Sequence, residues 1–162
     1  FDFYKLLLAK YPEFVMLILT KDDREKVINE AVAAGIPREN VFVRYALREQ
    51  MPGFLGISDC SIFFIRPTFS KTASSPTKNA ELMGMGIPVI CNDIGDTGNI
   101  INDTGTGAVI QSFEESSYQA VIEKLSQLCA LSKSMIRQRA FEYFDLKAGA
   151  GAYEKLYKRI LN

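Results

Sequence analysis

The sequence contains no histidine. This absence removes the commonest general base, the commonest zinc ligand and every Ser-His or Cys-His catalytic pair. There is also no Asp-x-Asp pair that would hold a divalent metal ion against a diphosphate. We therefore expect chemistry that depends on carboxylates, lysines, hydroxyls and backbone amides, with no bound metal and no cofactor.

The sequence also lacks net charge and long apolar runs. Its 19 basic and 19 acidic side chains balance, so no overall field would attract nucleic acid or an anionic membrane surface. The longest apolar run, residues 14–19, is too short to cross a bilayer, and no secretory signal pattern is present. These features predict a cytoplasmic protein with no nucleic-acid partner.

Cysteine is scarce. Cys60, Cys91 and Cys129 are far apart in sequence and show no Cys-x-x-Cys spacing. This pattern predicts buried free thiols in a reducing compartment rather than a metal site or a disulfide framework.

What is present is an alternation of helix and strand patterns over 162 residues. Apolar runs of strand length alternate with helical segments, which favours right-handed crossovers and a parallel sheet. The predicted strands lie within residues 14–19, 41–45, 59–67, 89–93 and 103–113. The sequence therefore predicts one α/β domain over residues 1–162, with a Rossmann-like parallel sheet, helices on both faces and a helical tail from about Glu114.

Local signals predict where helices begin and end. Gly-Ile-Pro, at residues 35–37 and again at 86–88, predicts that a helix ends before a strand. Asp22 and Asp23 favour a helix start at Arg24. The final helical segment has one apolar stripe, formed by Tyr153, Leu156, Tyr157 and Ile160.

The start of the chain is unusual for such a fold. Rossmann-like domains normally begin with a strand, whereas residues 1–11 have a helical pattern and the first residue is Phe1. We expect that a first strand and an upstream domain are missing, which would make the chain a piece of a two-domain protein. The sheet edge exposed in this way could support a homodimer.

The segment from Lys71 to Ile90 carries the most chemical information. Ser75 is predicted to cap a helix with Pro76 as its first residue. Lys78 then lies near the helix N-terminus, where the helix dipole disfavours a cation unless an anion is bound beside it. Glu81 lies one turn further on, where a carboxylate could accept hydrogen bonds from a ribose diol. This spacing favours a nucleotide or nucleotide-sugar site.

A plainer interpretation fits the same residues. Lys78 and Glu81 could form an exposed ion pair worth less than about 1 kcal/mol, and Ser75-Pro76 could be only a well-formed helix start. Other residues of this region need no ligand at all. The predicted core residues are Phe63, Phe64, Ile87, Val89 and Ile90, and Met83 and Met85 are predicted to fill space under the helix.

The segment SSPTKNAELMGMGIPVICNDIGDTGNII, followed by GTGAVI, resembles the donor-binding C-terminal half of GT-B-fold group 1 glycosyltransferases. These enzymes typically carry two glutamates eight residues apart, then a glycine and a Pro-Val-Ile or Pro-Val-Val strand. The order of elements is similar over nearly the whole chain, while the specific motif is confined to residues 71–110.

The resemblance implies site residues and partners. Glu81 matches the glutamate that binds the ribose, and the loop and helix start match the part that contacts the donor diphosphate and sugar. The implied substrate-binding residues are Thr72, Ser74, Ser75, Pro76, Thr77, Lys78 and Glu81, with Tyr45 and Ala46 bracketing the base. The implied donor is a UDP-, GDP- or ADP-sugar, and an N-terminal acceptor domain completes the enzyme.

Two departures from the family pattern stand out. The position of the first glutamate is occupied by Ala73, which leaves its sugar-hydroxyl contact open to Lys78 or to the loop hydroxyls. The Gly-rich stretch that carries the family's phosphate-binding Arg and Lys would precede Phe1.

The resemblance implies a retaining, metal-independent transferase that is inactive without its acceptor domain. The parent protein could also associate with the inner face of the membrane through that missing half. A non-catalytic Rossmann-like binding or assembly module is the alternative. A sugar-nucleotide epimerase would need catalytic acids and histidine that the sequence lacks.

Overall fold

A computed structural model describes residues 1–73 and 75–161. Helices and parallel strands alternate along the chain, with short 3-10 turns between some of them. The elements are α1 (Asp2–Lys10), β1 (Met16–Leu19), α2 (Arg24–Ala33), β2 (Val41–Arg44), α3 (Met51–Gly56), β3 (Ser61–Phe63), α4 (Thr77–Gly84), β4 (Val89–Asn92), α5 (Thr97–Thr104), β5 (Gly107–Ile110), α6 (Glu115–Ile122), α7 (Leu125–Cys129), α8 (Lys133–Phe144) and α9 (Leu146–Leu161).

The chain divides into two compact units. The first comprises Phe1–Phe54 and Gln111–Leu125, and the second comprises Leu55–Ile110 and the segment from Ser126 onward. All strand pairs in both units are parallel: β1 pairs with β2 in the first unit, and β4 lies between β3 and β5 in the second. The predicted α/β class with parallel strands, flanking helices and a helical tail is confirmed.

The first unit is stabilised by packing between helices and by hydrogen bonds of the buried Tyr4 side chain. α1 packs on α6, where the rings of Phe3 and Tyr118 meet edge to face at 5.6 Å. The Tyr4 hydroxyl lies 3.0 Å from the carbonyl oxygens of both Phe14 and Asn40, to which it can donate. Asp23 caps α2 by accepting a hydrogen bond from the Lys26 amide at 2.8 Å, as the acidic start of that segment predicts.

The core of the second unit lies around β4. Its buried strand residues pack with side chains from α4, α5 and α8, and the group comprises Leu82, Met83, Ile87, Val89, Cys91, Ile100, Ile101, Ile136 and Ala140. Met83 and the predicted core residues Ile87, Val89 and Ile90 are fully buried. Phe63 and Met85 are half-buried and pack against this core. Phe64 is also half-buried but is not among the residues that pack there, so its assignment to the core was too strong. β3 has only three residues and pairs on one side with β4, which leaves its side chains less covered than those of β4.

The two Gly-Ile-Pro segments end helices as the sequence predicts. Gly35 follows α2 with φ 88°, and Gly86 follows α4 with φ 75°. Only glycine adopts this left-handed conformation without strain, and the proline two residues later prevents the helix from continuing. Both segments then lead directly towards a strand.

α9 is amphipathic and exposed. Its predicted apolar stripe is present, and its members Tyr153, Leu156, Tyr157 and Ile160 are all at least half exposed. Among residues 1–73 and 75–161, no helix combines the length and the apolar character that crossing a bilayer would need.

Candidate functional site

The start of α4 lies at the carboxyl edge of the sheet in the second unit. β3, β4 and β5 are parallel, so their carboxyl ends share one edge. α4 connects β3 to β4 and must run back across the sheet, which places its N-terminus at that edge. α5 connects β4 to β5 and begins at the same edge. Ligands of open parallel sheets bind at this edge.

α4 begins one residue later than predicted. Pro76 is the N-cap, with φ −66° and ψ 123°, and Thr77 and Lys78 are the first and second helical residues. The assignment of Ser75 as the cap was wrong, because the extended ψ of Pro76 keeps that residue outside the helix. The first turn is closed instead by the Asn79 amide, which donates to the Pro76 carbonyl at 3.1 Å.

The polar side chains of this first turn face solvent. Ser75, Thr77, Lys78 and Glu81 are all exposed. Within the described residues, the ion pairs are Arg38–Glu25, Arg139–Glu142 and Lys158–Glu154, so Lys78 and Glu81 do not pair with each other. The plain interpretation of these two residues as an exposed ion pair therefore fails, and both charges remain available to a ligand.

One of the predicted site hydroxyls, in the loop before α4, already has a hydrogen-bond partner. The Thr72 hydroxyl donates to the Phe69 carbonyl at 2.6 Å and closes a 3-10 turn. Phe69 itself is 96% exposed and lies in the loop that leads to the predicted site, and the sequence analysis did not select it. Ser74 lies outside the described residues.

Tyr45 and Ala46 lie in the first unit, directly after β2. Tyr45 is exposed and Ala46 is half-buried. The predicted site residues thus fall into two groups: Thr72, Ser75, Pro76, Thr77, Lys78 and Glu81 belong to the second unit, and the two predicted base contacts belong to the first.

Two buried polar side chains near the helix starts have no hydrogen-bond partner among the described residues. Both side-chain amide atoms of Asn79, the third residue of α4, are unpaired, as is the hydroxyl of Thr97, the first residue of α5. Both residues are fully buried. Folded proteins rarely leave buried polar groups unpaired, and functional sites are among the places where they do. The first turns of α4 and α5 share this property at the same sheet edge.

Asn92, the last residue of β4, was missed by the sequence analysis. Its side-chain amide donates to the Ile65 carbonyl at 3.0 Å, and its side-chain oxygen accepts from the Ile65 amide at 2.7 Å. The side chain therefore satisfies both backbone groups of a residue just past the end of β3. Asn92 is 4% exposed and holds the start of the loop that leads to α4. The sequence signal that could have identified Asn92 is a polar amide at the end of an otherwise apolar strand.

We expect Asn92→Asp to destabilise the chain by about 1–3 kcal/mol, because a carboxylate cannot donate to the Ile65 carbonyl and leaves it unsatisfied. Urea unfolding followed by circular dichroism measures this loss. Asn99→Asp, an exposed change of the same chemistry on α5, is the control and should change stability little. Equal stability of the two variants would show that the hydrogen bonds of Asn92 contribute nothing to the free energy of unfolding.

No group of three or more histidine, cysteine, aspartate or glutamate side chains in residues 1–73 and 75–161 is arranged to hold a metal ion. Lys78, on the first turn of α4, is a cation at the predicted anion position. Cys91 lies in the strand below this edge, and burial, with the charge of Asp93 as a smaller cause, raises its pKa to about 12. Its thiol therefore remains protonated at neutral pH.

Comparisons with known proteins bear on the family and the fold of this chain. A family model described as glycosyl transferases group 1 matches residues 2–140. No curated protein matches the chain in sequence. Among solved structures, WaaG, a glycosyltransferase involved in lipopolysaccharide biosynthesis, is 19% identical with a TM-score of 0.67, and the match covers 90% of this chain and 40% of WaaG.

Two further structures are similar in fold. Sucrose-phosphate synthase from Thermosynechococcus elongatus is 13% identical with a TM-score of 0.71, and the match covers 99% of this chain and 42% of that protein. A variant O-GlcNAc transferase from Thermobaculum terrenum is 15% identical with a TM-score of 0.66, over 98% of this chain and 32% of its own. The chain thus spans less than half the length of each of these proteins.

Proposed function

Because the chain belongs to the group 1 glycosyl transferases, we propose that it is the donor-binding half of a glycosyltransferase and binds a nucleoside-diphosphate sugar at the first turn of α4. One observation carries the proposal. The first turn presents Thr77 and Lys78 at the carboxyl edge of the sheet, with Glu81 exposed one turn further on and unpaired within the described residues.

The diphosphate would bind at the start of α4. The free amides of a helix N-terminus and the positive end of its dipole attract phosphate. The ammonium of Lys78 and the hydroxyls of Ser75 and Thr77 add donors of the kind that phosphate oxygens accept. When the sugar leaves for the acceptor, the same groups stabilise the charge that develops on the diphosphate. This arrangement supports a metal-independent reaction without a cofactor.

Glu81 would bind the ribose. Its carboxylate lies one turn beyond Lys78 on nearly the same face of α4, so it can accept hydrogen bonds from two neighbouring hydroxyls. Since Ala73 occupies the position of the first glutamate in the family pattern, Lys78 or the loop hydroxyls would contact the sugar. Tyr45 and Ala46 would bracket the base. The stereochemical outcome proposed for the complete enzyme is retention of configuration.

A complete enzyme needs an acceptor site as well. We assign that site to an N-terminal domain of the same parent protein, which agrees with the 32–42% of each similar structure that the chain covers. The chain alone would then bind a UDP-, GDP- or ADP-sugar without turnover. The proposed parent is cytoplasmic and associates with the inner face of the membrane through that domain. Self-association through a sheet edge is a further proposal.

A non-catalytic binding or assembly module is the second candidate. Ala73 favours it, because a module that no longer transfers sugar has no need of the first glutamate. Nucleotide binding separates the two candidates, since the module would have no affinity for nucleoside diphosphates.

Isothermal titration of UDP, GDP and ADP into the chain tests the proposal. We expect one of the three to bind, with an affinity that EDTA does not change. Glu81→Ala should weaken this binding about 10- to 100-fold, because hydrogen bonds to a charged group contribute about 1.5–3 kcal/mol. Glu30→Ala, an exposed glutamate on α2, is the control and should leave affinity unchanged. Absence of binding by all three nucleotides would favour the non-catalytic module.

A further inference from the structure

One side of β4 is covered by α4 and α5 together. The strand and both helices contribute buried side chains to a single cluster, and these are Leu82, Met83, Val89, Cys91, Ile100 and Ile101. Residues three and four positions apart share one face of a helix. Asn79, one turn before the α4 pair, and Thr97, one turn before the α5 pair, therefore continue these two faces to the end where both helices begin.

Asp93 continues the strand to the same end. Side chains alternate across a strand, so Asp93 follows Val89 and Cys91 on one side. Its carboxylate lies against the start of α5, because a Cβ atom added to Gly98, the second residue of that helix, would overlap it. Asn79, Asp93 and Thr97 thus form a polar layer above the apolar cluster, at the carboxyl edge of the sheet.

The polar layer has hydrogen-bonding capacity that the described residues leave unused. The side-chain amide of Asn79 and the hydroxyl of Thr97 are buried and have no partner among those residues. The Asp93 carboxylate is exposed, and it belongs to none of the ion pairs in residues 1–73 and 75–161. The dipole of α5 accounts for an acid at this position, but it does not account for the unpaired amide and hydroxyl.

The chemistry of the layer selects one kind of ligand group. An amide and a hydroxyl both donate and accept hydrogen bonds, whereas a carboxylate only accepts. The charge of Asp93, with the exposed Asp96 three residues further on, repels a phosphate. The layer therefore matches neutral hydroxyl groups, while the start of α4 presents the cation Lys78. The two helix starts at this edge differ in the charge that they present.

We propose that the polar layer binds hydroxyl groups of the sugar in the nucleoside-diphosphate sugar. This inference rests on the proposed donor-binding function and adds Asp93, Asn79 and Thr97 to its site. Asp93, which faces solvent, accepts a hydrogen bond from one sugar hydroxyl. The buried Asn79 and Thr97 gain partners in the complex that they lack in the free chain. The diphosphate binds at the start of α4, and the neutral sugar extends towards the start of α5.

Calorimetric titration tests the inference by comparing a nucleoside diphosphate with its sugar conjugates. The probes are UDP, GDP and ADP with UDP-glucose, UDP-galactose, GDP-mannose and ADP-glucose. Asp93→Asn should weaken the conjugate that binds the wild type best by about 10- to 100-fold, because a hydrogen bond to a charged group is lost. Thr97→Val, which keeps the shape of the side chain, should weaken it by about 2- to 10-fold. Neither change should weaken binding of the diphosphate without sugar.

Asp103→Asn is the matched control, because Asp103 is an exposed aspartate on the last turn of α5. It should change neither affinity. The affinity for the free diphosphate also reports correct folding of each variant, so a folding defect cannot imitate the loss of a sugar contact.

The outcomes distinguish this inference from the function on which it rests. If a diphosphate binds but Asp93→Asn and Thr97→Val leave every conjugate unchanged, or weaken diphosphate and conjugate equally, the polar layer does not bind the sugar and the donor-binding function stands. If no diphosphate and no conjugate binds the wild-type chain, the donor-binding function is wrong and this inference is wrong with it.

Discussion

Lys78→Glu is expected to stabilise the chain and at the same time to abolish nucleoside diphosphate binding. Lys78 is the second residue of α4, so its charge lies at the positive end of the helix dipole. An acidic residue there is favourable by about 0.3–1 kcal/mol. The same change replaces an ammonium next to the proposed diphosphate with a carboxylate. We expect the affinity to fall by at least about 100-fold, since a charged contact is both lost and reversed.

The opposite signs of the two effects make this variant informative. A residue selected only for the stability of the helix would not be a lysine at this position. Urea unfolding measures the gain in stability, and titration with the nucleotide that binds the wild type measures the loss of affinity. A stabilised variant with unchanged nucleotide affinity would show that Lys78 does not belong to the binding site.

Lys147→Glu is the matched control. Lys147 is also exposed and is also the second residue of its helix, α9. The same gain in stability is expected there, because the position relative to the helix dipole is the same. Nucleotide affinity should not change. The pair of variants therefore separates the effect of charge on a helix start from an effect on the ligand.

Gly107→Ala is expected to prevent the second unit from folding. Gly107 is the first residue of β5 and pairs with Val89 on β4. A Cβ atom at this position would overlap the carbonyl oxygen of Val89 and approach its backbone nitrogen to 2.9 Å. Backbone atoms of a central strand cannot move aside without breaking the ladder. The expected cost exceeds about 4 kcal/mol, a large part of the stability of a typical domain.

Gly84→Ala is the control for this prediction. Gly84 is the last residue of α4, and a Cβ atom there would meet nothing within 4 Å. Alanine is the better helix former, so this variant should be as stable as the wild type or slightly more so. Circular dichroism and thermal unfolding compare the two variants directly. A cooperative transition of Gly107→Ala at the wild-type temperature would show that the strands are not this close.

Local signals in the sequence predicted much of the fold. The Gly-Ile-Pro segments identified the left-handed residues Gly35 and Gly86, because a glycine followed by proline determines the backbone within a few residues. The acidic Asp23 predicted the start of α2 for the same reason. Even the error at Ser75 was a shift of one residue, which is within the usual uncertainty of helix boundaries.

Features that depend on packing between distant segments were not predictable in this way. Asn92 reaches Ile65 only because β3 ends before β4 does. The prediction of buried thiols is correct only for Cys91, because Cys60 and Cys129 are half-buried. The half-exposed Phe63 has a sequence pattern like that of the buried Ile90, and the different number of neighbouring strands separates them.

In the candidate site, too, some residues are indicated by local sequence signals and others are not. The sequence indicated Lys78 and Glu81 from the chemistry of a helix start, and the structure leaves both exposed, with no ion pair between them in the part of the chain that it describes. The sequence did not indicate Asn79 and Thr97, whose side-chain polar atoms are buried and have no hydrogen-bond partner among the described residues. Both lie within the first turns of helices that begin at the same edge, which is a property of the strand order rather than of any local segment.

The most direct test of the account is a crystal structure of the chain with the nucleoside diphosphate that binds it. The account predicts the diphosphate at the first turn of α4, with phosphate oxygens accepting from the Thr77 and Lys78 amides and from the Lys78 ammonium. The ribose hydroxyls should donate to the Glu81 carboxylate. A diphosphate bound away from α4, with Lys78 and Glu81 still in solvent, would contradict it.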